Sequence, residues 1–571
     1  MTLTFRKDAM RNRLITFLSL LLFLSFLSSS VIVSAQSGSD DLVVVDIGFT
    51  TQEDLEYLTN TFDVWHVDPE TKLATVMLTR SEFQLLADLG YIMILDETNT
   101  ALVNTGLEMQ PGQRSGIPGY PCYRTVEETL STGASIAAAY PTLASWIDIG
   151  DSWEKASPGG SAGHDIMVLV LTNKAKGGDK AKILINSGLH ARELAPVELN
   201  TRFAEYLVAN YGTDADITWL LDYNEVHMLL QSNPDGRVQV ETTSLLWRKN
   251  TNENYCSPTS TSRGADLNRN FDFHWDGGYS STDPCNISYR GPFALSEPES
   301  QAISTYELAI FSDQRGPNDS DPAPVDTSGI FIDLHSYGNL VLWPYGFDDD
   351  TVAPNVAQLQ TFGRKLAYFN DYSPYQANYL YPASGATDDH AYGTFGVAAY
   401  TIELGELNTF SPNCTYFEES ILSSNLGTLI YAVKAARRPY QTPSGPDALN
   451  LSAPTGMIPL NQSFQVTAIL DDTRYKNEPY YEPTQSITVA RYSIDTPPWE
   501  ENAILFSLQA VDGVFNDESI EEVSATVNPT GLSGGRHTLF VQGQDTAGNW
   551  GAVSAVFFEL EYGYFFPLSY R

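Results

Sequence analysis

The segment Gly188-Leu189-His190-Ala191-Arg192-Glu193 sets a histidine and a carboxylate three positions apart, and both residue types bind transition metals. A second histidine, His335, closes the apolar run Ile330-Phe331-Ile332-Asp333-Leu334, and another carboxylate, Glu403, sits inside Tyr400-Thr401-Ile402-Glu403-Leu404. Two histidines and a carboxylate make a three-ligand zinc site with one position left open for water. A further glutamate nearby could take that water's proton. With eight histidines in the chain, chance alone supplies on the order of half an H-x-x-E match, so the pair draws its meaning from its surroundings.

Such groups need a rigid frame, and the middle of the chain supplies alternating patterns. Ile166-Met167-Val168-Leu169-Val170-Leu171 and Lys182-Ile183-Leu184-Ile185-Asn186 read as buried strands. Glu225-Val226-His227-Met228-Leu229-Leu230 and residues 330–334 and 397–404 read the same way. Residues 125–139 and 196–210 carry helical periodicity; in the second, Pro196 suits the first turn and Leu199, Phe203, Tyr206 and Leu207 share a face. This alternation predicts an α/β sheet covered by helices, with its site at the strand ends.

Two further segments flank that domain. Residues 40–104 show the order β-α-β-β-α-β, which is the ferredoxin-like pattern, with a helix over 51–59 capped by Thr50 or Thr51 and another over 80–89. The polar linker Gln110-Pro111-Gly112-Gln113-Arg114-Ser115-Gly116 follows and is the kind of loop that proteases nick. Beyond Arg438-Pro439-Tyr440-Gln441-Thr442-Pro443-Ser444-Gly445-Pro446, which resists regular structure, short alternating strands such as Phe464-Gln465-Val466-Thr467-Ala468-Ile469 predict a β-sandwich of immunoglobulin or fibronectin size. The expected organisation is therefore 1–35 leader, 36–114 leading α+β domain and linker, 115–438 catalytic domain, and 439–571 linker and β-sandwich.

Residues 1–35 read as a signal peptide, with Arg6, Lys7, Arg11 and Arg13 before an apolar stretch and Val33-Ser34-Ala35 at the cleavage point. The remainder is expected to be secreted and to act as a monomer. A formal charge of −38 excludes a nucleic-acid partner, whose backbone would be repelled. Structural calcium is compatible with such acidity, but no EF-hand loop is present. Four cysteines without a C-x-x-C favour two disulfides in a secreted chain. Of three connectivities, we favour Cys256–Cys285 as a local clip and Cys122–Cys414 as a tie between the ends of the middle domain.

Taken together, the motifs of the middle domain resemble those of the zinc metallocarboxypeptidases of the A, B and T type, over about residues 119–438. They run in order: the segment around His190 and Glu193, Asn233-Pro234-Asp235-Gly236, Trp247-Arg248-Lys249-Asn250, Asp266-Leu267-Asn268-Arg269-Asn270 and Tyr289-Arg290-Gly291-Pro292 with Ser296-Glu297. His335-Ser336-Tyr337, Tyr381-Pro382-Ala383-Ser384-Gly385 and the segment around Glu403 complete the set. The resemblance implies an α/β fold with a mixed sheet and helices on both faces. It implies that His190, Glu193 and His335 hold one Zn(2+), that Glu403 is the general base and that Arg248 polarises the scissile carbonyl. It further implies that Asn268, Arg269 and Tyr381 hold a substrate's terminal carboxylate, with Arg192 lining the cleft and Tyr337 an outer subsite. The partners so implied are the C-termini of peptides and proteins. Arg237 and Lys249 are expected to be surface cations, and Asn233-Pro234-Asp235-Gly236 to be turn architecture.

Counting from Tyr381 places Asp388 where the family reads the C-terminal side chain. A buried carboxylate there would attract Lys or Arg, so the expected preference is basic or dual. The competing reading has Asp388 turned away to cap a loop, and His390 departs from the aromatic more usual after Asp389. The leading domain is expected to shield the cleft until cleavage after Arg114, and the β-sandwich to bind cell envelope or polysaccharide, or simply to stabilise. Two alternatives keep the fold and change the role: hydrolysis of cell-wall peptides, or a non-catalytic binding protein.

Overall fold

The apolar runs of the middle domain form an eight-stranded mixed sheet in the order β11-β10-β12-β9-β7-β8-β6-β5. Its strands are β5 (Ala144–Asp151), β6 (Asp165–Leu171), β7 (Ala181–Ser187), β8 (Asn224–Leu229), β9 (Ile330–His335), β10 (Leu340–Trp343), β11 (Ser373–Gln376) and β12 (Ala398–Glu403). The central strands β8, β7, β9 and β12 run parallel to their neighbours in that series, whereas β6 against β8 and β10 against β12 are antiparallel. Every residue of β9 is buried, which is why its sequence does not alternate apolar with exposed polar residues. The computed structural model describes residues 41–157, 162–406, 409–516 and 518–562, so the expected leader lies outside the described residues.

Helices cover this sheet. Leu194–Asn210 follows β7 directly and buries Leu199, Phe203, Ala204 and Leu207. The expected helix near 125 is Val126–Ala139, where Thr125 and Glu128 form a reciprocal capping box. Asn233 accepts a hydrogen bond from Gly236 N and caps the helix Pro234–Thr242, so the N-P-D-G turn is a helix start.

Before this domain, β1 (Leu42–Gly48), β2 (Asp63–Asp68), β3 (Leu73–Thr79) and β4 (Met93–Leu95) form a four-stranded sheet in the order β2-β3-β1-β4. The helices Gln52–Thr61 and Arg80–Asp88 pack on it, each opened by a threonine capping box at Thr51 and Thr79. A short helix, Glu97–Val103, continues the chain where the sequence suggested no element.

After the middle domain come β13 (Asp447–Ser452), β14 (Met457–Ile458), β15 (Phe464–Asp471), β16 (Ile487–Ile494), β17 (Phe506–Ala510), β18 (Ile520–Val527), β19 (Gly535–Asp545) and β20 (Ser554–Leu560), a second eight-stranded system in the order β13-β15-β18-β17-β16-β19-β20-β14. It has an apolar core of its own, including Val466, Leu470, Leu539 and Phe558. Phe540, Ala552 and Val553 belong instead to the core of the middle domain. The linker is accordingly fixed: Tyr440 is buried and the Tyr475 hydroxyl donates to the Pro443 carbonyl at 2.8 Å. Both favoured disulfides, Cys122–Cys414 and Cys256–Cys285, are present.

Candidate active site

Strand ends bring the site together. β9 and β12 run parallel with His335 opposite Glu403, so the last residue of each strand reaches the same edge of the sheet. β7 lies parallel on the other flank of β9, and the turn after it carries His190 and Glu193, the latter immediately before the helix Leu194–Asn210. Crevices at the carboxyl ends of parallel strands are where α/β sheets place their sites.

The ligand atoms converge. His190 Nδ1 lies 2.8 Å from Glu193 Oε1, and His335 Nδ1 lies 3.1 Å from Glu193 Oε2 and 3.1 Å from His190 Nδ1. All three groups fall within 4.8 Å of one another and are buried. Two imidazole nitrogens and a carboxylate oxygen are a donor set that suits zinc. Each histidine turns its other nitrogen toward a fully buried carboxylate: His190 Nε2 to Asp266 at 3.0 Å and His335 Nε2 to Asp333 at 3.0 Å. Asp333 is held in turn by the Asn186 amide at 3.0 Å and the Thr387 hydroxyl at 2.6 Å. Such outer carboxylates fix the tautomer and orientation of a ligating imidazole.

The electrostatics agree with that geometry. Burial pushes the Glu193 carboxyl up, but His190 and His335 together hold it well below the usual carboxylate range. Burial disfavours a charged His335, yet Asp333 and Glu193 raise it well above an ordinary histidine. Carboxylates that favour a proton on that ring also favour a divalent cation between the same atoms.

Arg248 is clamped by Asp266, donating from Nε at 3.1 Å and Nη2 at 2.9 Å, which keeps it charged despite its burial. Asn268 and Arg269 lie on the single turn Leu267–Arg269, capped by Asp266. The Asn268 side-chain oxygen accepts from Thr387 N at 3.0 Å, and Arg269 donates to the Asn268 carbonyl at 2.8 Å while its Nε has no partner. Burial pushes the Glu403 carboxyl up to about 8; His335 and Arg248 pull against that, and Glu193 and Asp333 reinforce it.

One cleft is lined by His190, Glu193, Arg248, Glu403, Tyr381 and Asp388, with Arg192, Asn268, Arg269, His335 and Tyr337 also on its wall. Every expected site residue of the middle domain is therefore in one place. Asp388 stands in the first turn of the helix Thr387–Phe395 and faces the cleft beside Thr401. Its neighbour Asp389 turns away and accepts from Gly346 N at 2.9 Å. Arg237 and Lys249 are not surface cations. Arg237 is buried and donates to the Glu193 carbonyl at 2.5 Å, steadying the turn that carries that ligand. Lys249 is buried too, and its Nζ donates to the carbonyls of Pro284 and Asn286.

Asp266 and Asp333 were not singled out from sequence. The signal for Asp333 was present, since Asp333 and His335 stand two apart on a strand and share a face. For Asp266 the partners lie 76 and 18 residues away, and no local pattern announces them.

Known proteins place the chain. The zinc carboxypeptidase family matches residues 130–422, just over half of the sequence, and the chain belongs to that family. Carboxypeptidase A4 of Mus musculus is 31% identical over 329 residues, covering 55% of this chain and 71% of that protein. Carboxypeptidase B of Astacus astacus is 32% identical over 299 residues, covering 50% of this chain and 88% of that protein. Among solved structures, the carboxypeptidase A from Helicoverpa armigera is similar with a TM-score of 0.55 at 21% identity, covering 71% of this chain and 98% of that one. Thrombin activatable fibrinolysis inhibitor is similar with a TM-score of 0.53 at 20% identity, covering 69% and 98%. The chain is a zinc metallocarboxypeptidase, with relatives of both A and B names.

Proposed function

We propose that the protein is a secreted carboxypeptidase that removes C-terminal residues from peptides and proteins, with a basic or dual preference. The observation that carries this reading is the meeting of His190, Glu193 and His335 beside Glu403 and Arg248, in a cleft that also holds Asn268, Arg269 and Tyr381. His190, Glu193 and His335 would hold the zinc, which when bound acidifies water and polarises the scissile carbonyl. Glu403 takes the proton of the attacking water and returns it to the leaving nitrogen. His335 and Arg248 restrain the rise that burial imposes on that carboxyl. Arg248, fixed by Asp266, faces the oxygen on which negative charge develops. Arg269 offers an unpaired, buried Nε–H where a terminal carboxylate needs a donor, in the cleft that Asn268 and Tyr381 also line.

Asp388 supports the basic preference, because its carboxyl lines the cleft while Oδ1 accepts from Asp389 N at 3.0 Å. We read the leading domain as a ferredoxin-like propeptide that occupies the cleft until cleavage after Arg114, an exposed residue of an irregular loop. Val64 and Trp65 line the cleft, Trp65 packs in one cluster with Tyr337 and Phe410, and Tyr381 packs on the leading domain's core. The C-terminal strands are read as an immunoglobulin-like sandwich, and residues 1–35 as the secretion signal. The unit at work is the monomer.

The test uses the secreted chain trimmed after Arg114 and peptides ending in Lys, Arg, Phe or Glu, with and without a chelator. Glu403→Gln is expected to keep one zinc per chain and to lose about 10²–10⁴ of kcat. Normal turnover by that variant overturns the base, and chelator-resistant activity overturns the metal.

A further inference from the structure

This chain carries 70 acidic and 32 basic residues, yet three guanidiniums meet at one cavity. The cavity measures about 420 Å³ and lies at the seam between the C-terminal strands and the middle domain. It shares no lining residue with the catalytic cleft. Its aromatic wall joins both sides: the Trp499 ring lies 5.6 Å from Trp219 and 5.9 Å from Tyr223. Arg437 lies over Trp499 at 5.8 Å, and Arg491 stacks over Trp550 at 3.5 Å.

The cations here are poorly compensated. Arg491 donates from Nε and Nη2 to the amide oxygen of Gln542, at 3.2 and 2.6 Å. Arg438 donates to the backbone carbonyl of Asp326. Arg437 engages the Trp499 ring and, among the described residues, none of the three forms an ion pair. Burial presses Arg437 below the usual guanidinium value and neighbouring Arg438 adds to this, with Glu500 and Asp179 pulling the other way; burial alone lowers Arg491. Half-desolvated cations whose bonds go only to neutral oxygens and rings cost stability, which Glu500 and Asp179 offset only in part at Arg437, and a bound anion would offset the rest.

We propose that this seam cavity binds an acidic saccharide, a sugar ring that carries a carboxylate. Arg437 receives the carboxylate through the planar fork that fits it, beside Arg491, whose Nη1 makes no hydrogen bond among the described residues, and Trp499 and Trp550 give the ring apolar wall. The volume falls in the range of small-ligand sites, which favour domain seams. A bare inorganic anion would leave the aromatic walls unused. The site would hold the peptidase on a uronate-bearing polymer while leaving the cleft free.

The experiment is a calorimetric titration of the full chain with tetragalacturonate, with maltotetraose as the neutral counterpart and sodium sulfate as the bare anion. Tetragalacturonate is expected to bind in the sub-millimolar range, and both controls at least about tenfold more weakly. Arg437→Gln and Trp550→Ala are each expected to weaken tetragalacturonate about tenfold, with hydrolysis of a small peptide by the trimmed enzyme unchanged. Among the described residues Arg437 makes no side-chain hydrogen bond, so its variant decides the matter if Trp550→Ala lowers the melting temperature. Absence of binding at about 10 mM, equal binding of maltotetraose or of sulfate, or full affinity in Arg437→Gln would each overturn the proposal.

Discussion

Asp63 of the leading domain accepts from both Nη atoms of Arg192 of the cleft, at 2.7 and 2.9 Å. The pair is almost wholly buried, and the guanidinium rests 4.0 Å from the Phe410 ring centre. Burial opposes a charged Asp63, but Arg192 holds its carboxyl below the usual range. This bidentate contact ties the leading domain to a residue that lines the cleft.

Asp63→Ala is therefore expected to loosen the leading domain. Breaking one side of a buried pair costs about 3–5 kcal/mol, so activity of the uncleaved chain is expected to rise by about tenfold or more. A peptide assay on the untrimmed variant and parent checks this; equal latency counts against the shielding role.

Replacing Asp388 addresses specificity. Asp388→Leu is expected to lower kcat/KM for a peptide ending in Arg by more than about tenfold and to raise it for one ending in Phe, since a pocket that pairs a charge rejects its absence strongly. A parallel fall for both peptides would mean that Asp388 supports the helix Thr387–Phe395 and does not read the substrate.

Asp333 tests the outer layer of the metal site. Asp333→Ala removes the partner of His335 Nε2 and is expected to weaken zinc about 10–100-fold, measured by competition with a chelator. Unchanged affinity would reduce Asp333 to a packing role.

Stability should depend on pH through Glu299. Burial and neighbouring Glu297 push its carboxyl up to about 8 from an ordinary 4.5. A raised carboxyl contributes stability that is complete below the unfolded value and is lost as pH rises through the folded one. Glu299→Gln cannot ionise, so its melting temperature relative to the parent is expected to climb by a few degrees, about 2–4 °C or more, between pH 5 and pH 9. Parallel melting curves across that range would exclude a neutral Glu299.

Much of the site was readable because its residues sit at strand ends. His335 closes one largely apolar run and Glu403 sits within another, and a strand buried on both faces shows in sequence as such a run. Arg237 and Lys249 were misread because a cation's burial is decided by acceptors elsewhere in the fold: Glu193 for the first, Pro284 and Asn286 for the second. The helix Glu97–Val103 escaped because it is short and, among its residues, only Asn99 is buried. The short strands β10 and β11 hold four residues each, the least over which a strand pattern shows itself. Asp388 was reached by counting from Tyr381 through a segment read as loop, and the helix Thr387–Phe395 turns it to the cleft and Asp389 toward Gly346.

Both disulfides lie within the middle domain, and the leading domain has no cysteine. Under the proposed cut after Arg114, nothing covalent would join the two pieces. The tether gives the leading domain an effective concentration in the millimolar range, and severing it makes the inhibitor a free ligand. Escape from latency would then follow dilution: a cut enzyme in a confined space stays largely capped, and the same enzyme spreading into open medium sheds its cap.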